Sequence, residues 1–450
     1  MRISTGVARR RSRAVTLSTS GLLALGLVLT GCGSDGDSGS DDAAGGDKQI
    51  TLRVGTFGSF GFDNKTGAKL YAEYEKLNPN IKIEETNVAD GQKYWDALKL
   101  RLSQGSGLAD VQAIEVGYIA EATGDAMASK WVDLGKAEGA DTSAFLDWKV
   151  KQATTRNDQV IALGTDIGPM GICYRKDLFE KAGLPTDREQ VGQLWAGDWN
   201  KFLEQGEKYK AKAPADTAFH DSASGLFNAV ISSEPDQYSD ESGKLHWEGS
   251  PGVAKAWDVA VKAAQGGLTG KLRQFDEKGT WNAAFKNSKF ATVACPSWMT
   301  GIIKDQAGPA NKGKWDIAQA PVPANWGGSF LGVPKAGKNT AEAAKLVAWL
   351  TAPEQQAKVF AVNGNIPSTT AGLASESVQN AQPEYFPGVP VGKIYSDAAQ
   401  KITPAPIGRY DGQVKTFLTD NGILDIETRG TSPDKAWNNV KKLIEDKIDQ

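Results

Sequence analysis

Three tryptophans occupy positions where large flat rings are unusual, at the ends of predicted elements beside glycine, proline, serine or threonine. They are Trp281, Trp298 and Trp326, from a total of thirteen tryptophans in 450 residues. A ring left in a loop exposes apolar surface that needs a partner. The C–H face of a pyranose is such a partner, because an indole face can cover it. These positions therefore favour stacking on carbohydrate, although a packing role is an equal alternative for Trp281.

Other reactive patterns are weak in this sequence. The only histidines, His220 and His246, share no ligand spacing with each other or with cysteine, so neither a metal nor a cofactor is expected. No Gly-rich phosphate loop, G-x-S-x-G or H-E-x-x-H pattern occurs. Because 51 basic residues nearly balance 54 acidic ones without a basic stripe, nucleic acid is not an expected partner. The chain is not expected to be an enzyme, and a carboxylate pair of the glycosidase type stays open as the alternative.

The N-terminus carries the pattern of an export signal. Five arginines within the first thirteen residues precede an uncharged apolar run, Ala14 to Leu29, which is shorter than the ~20 residues of a membrane span. Leu29-Thr30-Gly31-Cys32 follows and resembles a bacterial lipobox, in which the cysteine thiol takes a diacylglycerol after cleavage. Residues 1–31 are therefore predicted to be a lipoprotein signal peptide, and Cys32 the lipidation site. The choice between the general secretory and twin-arginine routes stays open.

A tether is predicted after the anchor. Residues 32–48 are almost entirely Gly, Ser, Asp and Ala, which cannot bury enough apolar surface to fold. Folding is predicted to begin near Ile50. Two further cysteines, Cys173 and Cys295, lie in short apolar runs. In an oxidising exterior they could form a disulfide or remain two separate buried thiols.

Strand and helix patterns alternate regularly through the first part of the chain, which indicates an α/β domain with a largely parallel sheet. A chain of this length is too large for one ordinary core, so two domains are expected. The predicted strands are 50–57, 81–88, 109–115, 159–163, 170–174, 290–295 and 330–333, and the predicted helices are 67–77, 90–104, 177–182, 340–350, 353–362 and 433–447.

The order of several segments resembles the extracellular solute-binding proteins of the maltose-binding type. The resemblance covers essentially all of residues 49–450 and suggests, more distantly, actinobacterial binders of cello-oligosaccharides. The segments that carry it are YAEYEKLNPNIKIE (71–84), YRKDLFEKAGLP (174–185), ATVACPSWM (291–299), GGSFLGVPKAGKNTAEAAKLVAWLTAPEQQ (327–356) and GNIPS (364–368).

The resemblance implies a two-lobed periplasmic-binding-protein-like fold of type II, in which each lobe is a sheet flanked by helices. Lobe 1 would comprise residues 49–164 plus 331–366, and lobe 2 residues 165–330 plus 367–450. The chain would cross between lobes near 163–166, near 330–333 and near 364–368. The lobes would close over a ligand by hinge motion.

The resemblance also assigns site residues. Trp298 matches the family's stacking tryptophan, and Glu115 matches the acidic residue that receives sugar hydroxyls. Trp326 lies just before the second crossing, where it could contact ligand or wedge the hinge. Further candidate ligand contacts, each with a structural alternative, are Asp166, Ser59, Phe60 and Arg409.

By this resemblance the chain would be the substrate-binding lipoprotein of an ABC sugar importer. It would act as a lipid-anchored monomer on the outer face of the cell membrane and deliver its ligand to permease subunits. The expected ligand is a β-gluco-oligosaccharide such as cellobiose or cellotriose. Maltose, xylobiose or chitobiose are the alternatives within the same function.

Overall fold

Nine strands form two sheets in residues 49–276 and 278–448, the part of the chain that the computed structural model describes. The predicted signal peptide, Cys32 and the predicted tether lie outside these residues. The strands are β1 (Ile50–Phe57), β2 (Ile81–Val88), β3 (Val111–Glu115), β4 (Ala162–Gly164), β5 (Met170–Arg175), β6 (Ala218–His220), β7 (Phe290–Pro296), β8 (Trp315–Gln319) and β9 (Ser329–Gly332).

Twenty α-helices surround the two sheets in the described residues. They are α1 (Leu70–Leu77), α2 (Gly91–Gln104), α3 (Val116–Thr123), α4 (Asp125–Ala128), α5 (Asp147–Gln152), α6 (Lys176–Lys181), α7 (Arg188–Trp195), α8 (Trp199–Lys210), α9 (Ala223–Ile231), α10 (Pro251–Gln265), α11 (Thr280–Lys286), α12 (Met299–Ala307), α13 (Thr340–Leu350), α14 (Pro353–Asn363), α15 (Thr370–Ala374), α16 (Glu376–Gln379), α17 (Val391–Ala399), α18 (Asp411–Thr416), α19 (Leu424–Arg429) and α20 (Pro433–Lys447).

Local sequence signals explain the first of these elements. In β1 the alternating residues Leu52, Val54 and Thr56 are fully buried, as a half-exposed strand requires. Helix α2 begins behind Asp90, whose side chain accepts a hydrogen bond from the backbone N–H of Lys93 at 3.0 Å. It ends at Gly105 in the left-handed conformation. An Asp cap of this kind is worth about 1 kcal/mol, and glycine is the residue that the left-handed C-cap prefers.

Four of the five strands of the first sheet run in the same direction, which confirms the largely parallel sheet predicted for the first part of the chain, whereas the second sheet is mostly antiparallel. The first sheet has the order β2-β1-β3-β9-β4 and the second the order β6-β7-β5-β8. Strand β1 is parallel to β2 and β3, whereas β9 is antiparallel to both β3 and β4. The reason is that β9 returns from the second sheet and enters the first one from the opposite direction.

Each sheet has its own hydrophobic core, and the two-lobed α/β fold is thereby confirmed. We call the unit around the first sheet the first lobe and the unit around the second sheet the second lobe. Trp95 and Phe330 are buried in the core of the first lobe. The second sheet is covered on both faces, with Phe202 on one side and Phe285 on the other. The exact assignment of every segment to a lobe stays a prediction.

Two segments connect the lobes, and these segments contact each other. Residues 165–169 lead from β4 to β5 and form the first crossing, and residues 320–328 lead from β8 to β9 and form the second. Strand β9 begins at Ser329, two residues before the predicted lobe boundary at 331. The backbone N–H of Trp326 donates to the carbonyl of Gly168 at 2.8 Å, and Ile167 donates to Ile366 at 3.1 Å. Residues 364–368, the third predicted crossing, therefore run beside the first.

The structure joins Cys173 of β5 to Cys295 of β7 in a disulfide. The strands are antiparallel neighbours, and the Cα atoms of the two cysteines are 5.3 Å apart. Both cysteines are fully buried. The bridge closes the centre of the second sheet across 122 residues of sequence.

Candidate ligand-binding site

A cavity lies between the two lobes, beside the crossings. One wall comes from the first lobe, at the end of β3 and along α5. The other comes from α9, the second crossing and the loop that precedes α18. The lining residues are Glu115, Val116, Gly117, Trp148, Gln152, Asn228, Ile231, Ser232, Gln237, Tyr238, Asn325, Trp326, Gly327, Ile402, Thr403, Pro404, Ala405, Ile407, Asp411, Gly412 and Lys415.

Glu115 carries the carboxylate on the first-lobe wall. It is the last residue of β3 and caps α3, because its Oε2 accepts a hydrogen bond from the backbone N–H of Gly117 at 2.8 Å. A carboxylate can accept several hydrogen bonds, so this bond does not use up the acceptor capacity of Glu115. Glu115 thus lines the cavity, and its role as an acceptor of sugar hydroxyls stays a prediction.

Residues on both walls of the cavity carry buried polar atoms without partners. The Oε1 of Gln152, the Oδ1 of Asn228 and the hydroxyl of Tyr238 are buried and have no hydrogen bond within the described residues. An unsatisfied buried polar group costs about 1–3 kcal/mol. These three atoms belong to residues that line one cavity.

A second carboxyl group, that of Asp411, lies on the second-lobe wall. Burial raises the pKa of Asp411 to about 6, against the effect of hydrogen bonds from Ser239 Oγ at 2.5 Å and the Gly408 N–H at 2.8 Å. Burial, and secondarily the charge of Asp411, raises the pKa of Tyr238 well above its usual value. Tyr238 is therefore a neutral phenol that can both donate and accept a hydrogen bond.

Two of the three predicted tryptophans lie together. Trp326 lines the cavity, and its ring centroid is 5.9 Å from that of Trp298 in an edge-to-face arrangement. Trp298 is half-buried, and its Nε1 donates to the Trp326 carbonyl at 3.1 Å. Gly327 follows Trp326 with φ 96°, a conformation that side chains rarely tolerate. Trp298 therefore supports the ring that lines the cavity and is not itself a lining residue.

Trp281 is not placed for ligand contact, and this prediction is wrong. Its side chain is 1% exposed and packs among the core residues on one face of the second sheet. The indole Nε1 donates to the buried carboxylate of Asp221 at 2.7 Å. Because the ring of Trp281 is buried and its N–H group is already bonded to Asp221, it presents no free face to a ligand in the cavity.

Asp166 is also displaced from its predicted role. It is buried in the first crossing and does not line the cavity, because its Oδ1 accepts from Thr165 Oγ1 at 2.8 Å and from the Ser329 N–H at 2.9 Å. These bonds tie the first crossing to the start of β9. Asp166 therefore stabilises the contact between the two segments that connect the lobes.

A buried lysine lies next to Asp166. Lys149 of α5 is 1% exposed, and its Nζ lies 3.6 Å from the centroid of the Phe330 ring. Burial lowers the pKa of Lys149 to about 7, opposed by the charges of Asp166 and Glu115. Burial likewise raises the pKa of Asp166, opposed by Lys149. The hinge thus contains two ionisable groups that stabilise each other's charged forms.

Three further predicted residues lie outside the cavity lining. Ser59 is exposed, and its Oγ lies 3.3 Å from Asn363 Oδ1. Phe60 is 6% exposed and packs edge-on against Phe57, so it belongs to the first-lobe core. Arg409 is exposed, and its guanidinium lies over the ring of Tyr410 at 5.1 Å. For these residues the structural alternative describes the present contacts better than ligand binding does.

Sequence reasoning missed most of the residues that line the cavity, among them Trp148, Gln152, Asn228 and Tyr238. Of these four, only Asn228 carried a usable signal, since it is an amide side chain within the mostly apolar, buried helix α9. Trp148 and Gln152 lie one turn apart on a short helix with no unusual composition. Their role follows from the approach of the two lobes, which local sequence does not encode.

Comparison with known proteins agrees with this fold. The family described as "Bacterial extracellular solute-binding protein" matches residues 69–386. A crystal structure of an "Extracellular solute-binding protein family 1" is 39% identical with a TM-score of 0.75, and covers 88% of this chain and 99% of that chain. The chain therefore belongs to the bacterial extracellular solute-binding proteins.

Two further relatives are more distant. The lactose-binding protein of Rhizobium radiobacter is 26% identical over 318 residues, which is 68% of this chain and 71% of that protein. The ABC transporter associated binding protein of B. animalis subsp. lactis Bl-04, solved in complex with beta-1,6-galactobiose, is 20% identical with a TM-score of 0.74. The match covers 89% of this chain and 97% of that protein's chain. The second likeness is one of fold alone.

Membership of this family places the protein outside the cytoplasmic membrane, in an extracellular or periplasmic location. Between residues 49 and 448, leaving out the undescribed Glu277, no helix has the length and apolar character needed to cross a membrane. The same residues contain no cluster of three or more His, Cys, Asp or Glu side chains suited to a metal ion.

Proposed function

We propose that this protein captures an oligosaccharide in the cavity between its lobes and delivers it to an ABC importer. The observation that carries the proposal is the set of buried, unpaired polar atoms of Gln152, Asn228 and Tyr238 around a cavity that Trp326 also lines. A sugar combines hydroxyl groups with an apolar ring face. It can therefore satisfy the polar atoms and cover the indole at the same time.

The charges around the cavity favour a neutral ligand over an amino acid. Two carboxyl groups, of Glu115 and Asp411, face one ammonium group, of Lys415, and no arginine is among the lining residues. An amino-acid site would need a fixed cation for the carboxylate, for which arginine is best suited. Carboxylates that accept hydrogen bonds from hydroxyl groups suit a sugar.

The proposed ligand is a β-linked gluco-oligosaccharide of two or three units, such as cellobiose or cellotriose. Two tryptophans line the cavity, Trp148 and Trp326, and together they offer contact surface for more than one sugar unit. One relative is a lactose-binding protein and another was solved in complex with beta-1,6-galactobiose; both sugars are disaccharides, which supports a ligand of this size. Maltose, xylobiose and chitobiose are the competing ligands.

Binding is proposed to act by closing the lobes. The cavity walls come from both lobes, so a ligand that touches both stabilises only the closed arrangement. The first and second crossings, 165–169 and 320–328, would take up the motion. Permease subunits would then recognise the closed, monomeric protein at the membrane.

A ligand screen tests the function directly. Thermal shift and calorimetry with cellobiose, cellotriose, maltose, lactose, xylobiose, chitobiose, glucose and a set of amino acids should show saturable binding of at least one oligosaccharide. No product should form during long incubation, since the protein is proposed to bind without hydrolysis. Tight binding of maltose but not cellobiose would overturn the proposed linkage. A response to amino acids alone would overturn the function.

Trp326→Ala should weaken binding of the best sugar at least tenfold, because a buried aromatic contact at a binding site typically carries 1.4 kcal/mol or more. Trp437→Ala is the matched control, since this half-buried ring packs against Trp257 and Trp247, away from the cavity. Calorimetry on both variants, after circular dichroism confirms folding, gives the comparison. Equal affinities for both variants would place the ligand elsewhere.

The lipid anchor is proposed on the sequence Leu29-Thr30-Gly31-Cys32 alone. Cys32→Ala should release the protein from membranes or leave it unprocessed, because the thiol that carries the diacylglycerol is absent. Ser34→Ala is the control and should stay in the membrane fraction. Fractionation of cells with radiolabelled palmitate measures both. Full membrane retention of a processed Cys32→Ala protein would refute the anchor.

A further inference from the structure

Phe275 is an exposed aromatic ring in an unusual backbone conformation. Four large apolar side chains are exposed in the described part of the chain, and Phe275, at 50% exposure, is the one aromatic among them. Its φ of 58° lies in the left-handed region, where bulky residues are outliers. Such conformations persist only when the surrounding structure holds them, and they cluster at binding sites.

Hydrogen bonds hold the residues on either side of this ring. The Nε2 of Gln274 donates at 2.8 Å to Oδ2 of Asp221, the same buried oxygen that accepts from Trp281 Nε1. On the other side, the carboxylate of Asp276 accepts from the backbone N–H groups of Thr280 at 3.1 Å and Trp281 at 2.9 Å. The side chains of Gln274 and Asp276, on either side of Phe275, are therefore both fixed by hydrogen bonds, while the ring of Phe275 is half exposed.

The exposed ring continues a row of aromatic rings that begins at the cavity. Trp326 lines the cavity, and Trp298 lies 5.9 Å from it, centroid to centroid. Phe275 lies 6.2 Å from Trp298 and 4.8 Å from Trp281, which supports it from the buried side. The row thus leads from the cavity to the protein surface along the second lobe.

We propose that Phe275 is an outer stacking platform, which binds a sugar unit beyond those held in the cavity. This inference rests on the proposed function and specifies its substrate class, since the site would then take a linear oligosaccharide whose end leaves the cleft over the loop before α11. The cavity sets the identity of the first units, and Phe275 adds affinity only when the chain is long enough to reach it.

A length series tests this platform. Cellobiose, cellotriose and cellotetraose are titrated by calorimetry, with maltose, maltotriose and maltotetraose as a second series. The variants are Phe275→Gly, Phe275→Tyr and the control Leu100→Ala, which removes an apolar side chain of similar exposure (59%) on α2 of the first lobe. Phe275→Gly suits the test because glycine accepts a positive φ without strain, so folding should not suffer.

For the wild type, affinity should rise with the third or fourth unit. Phe275→Gly should lower the affinity for these longer sugars about tenfold and leave the affinity for disaccharides unchanged. Phe275→Tyr and Leu100→Ala should behave like the wild type. An unchanged length dependence in Phe275→Gly, or an equal loss for every length, would overturn the platform and leave sugar binding intact. If the wild type binds none of these six sugars, the platform is overturned, whereas the proposed function is overturned only if the wider ligand screen also finds no sugar that binds.

Discussion

Gly168→Ala should destabilise the protein by about 3 kcal/mol and strongly reduce ligand affinity. A Cβ at this position would overlap the carbonyl oxygen of Trp326, in the stretch where the two crossings run against each other. The φ of Gly168 is not positive, so the effect is one of close approach between backbones. Overpacking typically costs 1–3 kcal/mol and more where backbone blocks relaxation. Relaxation here would move Trp326 away from the cavity that it lines.

Gly249→Ala provides the matched control. This glycine also has no positive φ, and the nearest atom to an added Cβ is the His246 carbonyl oxygen at 3.6 Å, an ordinary contact. Urea unfolding and calorimetric titration of both variants separate the effects on stability and binding. If Gly168→Ala unfolds and binds like Gly249→Ala, the close contact of the crossings is not required for either property.

Lys149→Met should remove a pH dependence of stability between about pH 7 and pH 10. In the unfolded chain a lysine keeps its proton up to about pH 10.4, whereas burial lowers the pKa of Lys149 in the folded protein to about 7. Between these values the unfolded chain binds more protons, so the free energy of unfolding rises with pH. Below pH 7 the cost of burying the ammonium is fully present.

The difference between wild type and Lys149→Met should therefore change by something on the order of 4 kcal/mol from pH 7 to pH 10. Urea unfolding at each pH measures it, with Lys401→Met as the control for an exposed lysine. A double variant with Asp166→Asn tests the coupling, because Asp166 alone would be left as an uncompensated buried carboxyl group. Parallel pH curves for wild type and Lys149→Met would show that Lys149 keeps its proton in the folded state.

Sequence reasoning succeeded where a signal is local. Asp90 and Gly105 bracket helix α2 as capping residues do, and the predicted bounds of 90–104 differ from the observed helix by one residue. The strand 81–88 is found with its predicted bounds. The predicted helix 67–77 instead begins at Leu70, because Lys69 adopts a left-handed conformation and the helix cannot extend through it towards residue 67.

Sequence reasoning failed where distant residues decide the outcome. Trp281 was predicted to lie in a loop, but its indole N–H donates a hydrogen bond in the core to Asp221, sixty residues earlier. Asp166 looked like a ligand contact, but it binds the backbone of Ser329, which lies in another strand. Tyr238 and Gln152 share one cavity only because the lobes meet. Spacing along the chain carries no information on such pairings.

The position of β9 between β3 and β4 has a consequence for the order in which the protein can form. During synthesis or export the chain emerges from its N-terminus, so β1 to β4 appear well before residues 329–332. Until then β3 and β4 have no strand between them, and the first lobe keeps two open edges that can pair wrongly. The strands of the second sheet all lie within residues 170–319, but the cores that cover this sheet also draw on residues 357–448. A nascent chain stalled before residue 329 would therefore lack β9 in the first sheet and part of the hydrophobic cover of the second, so both lobes need the C-terminal third of the chain.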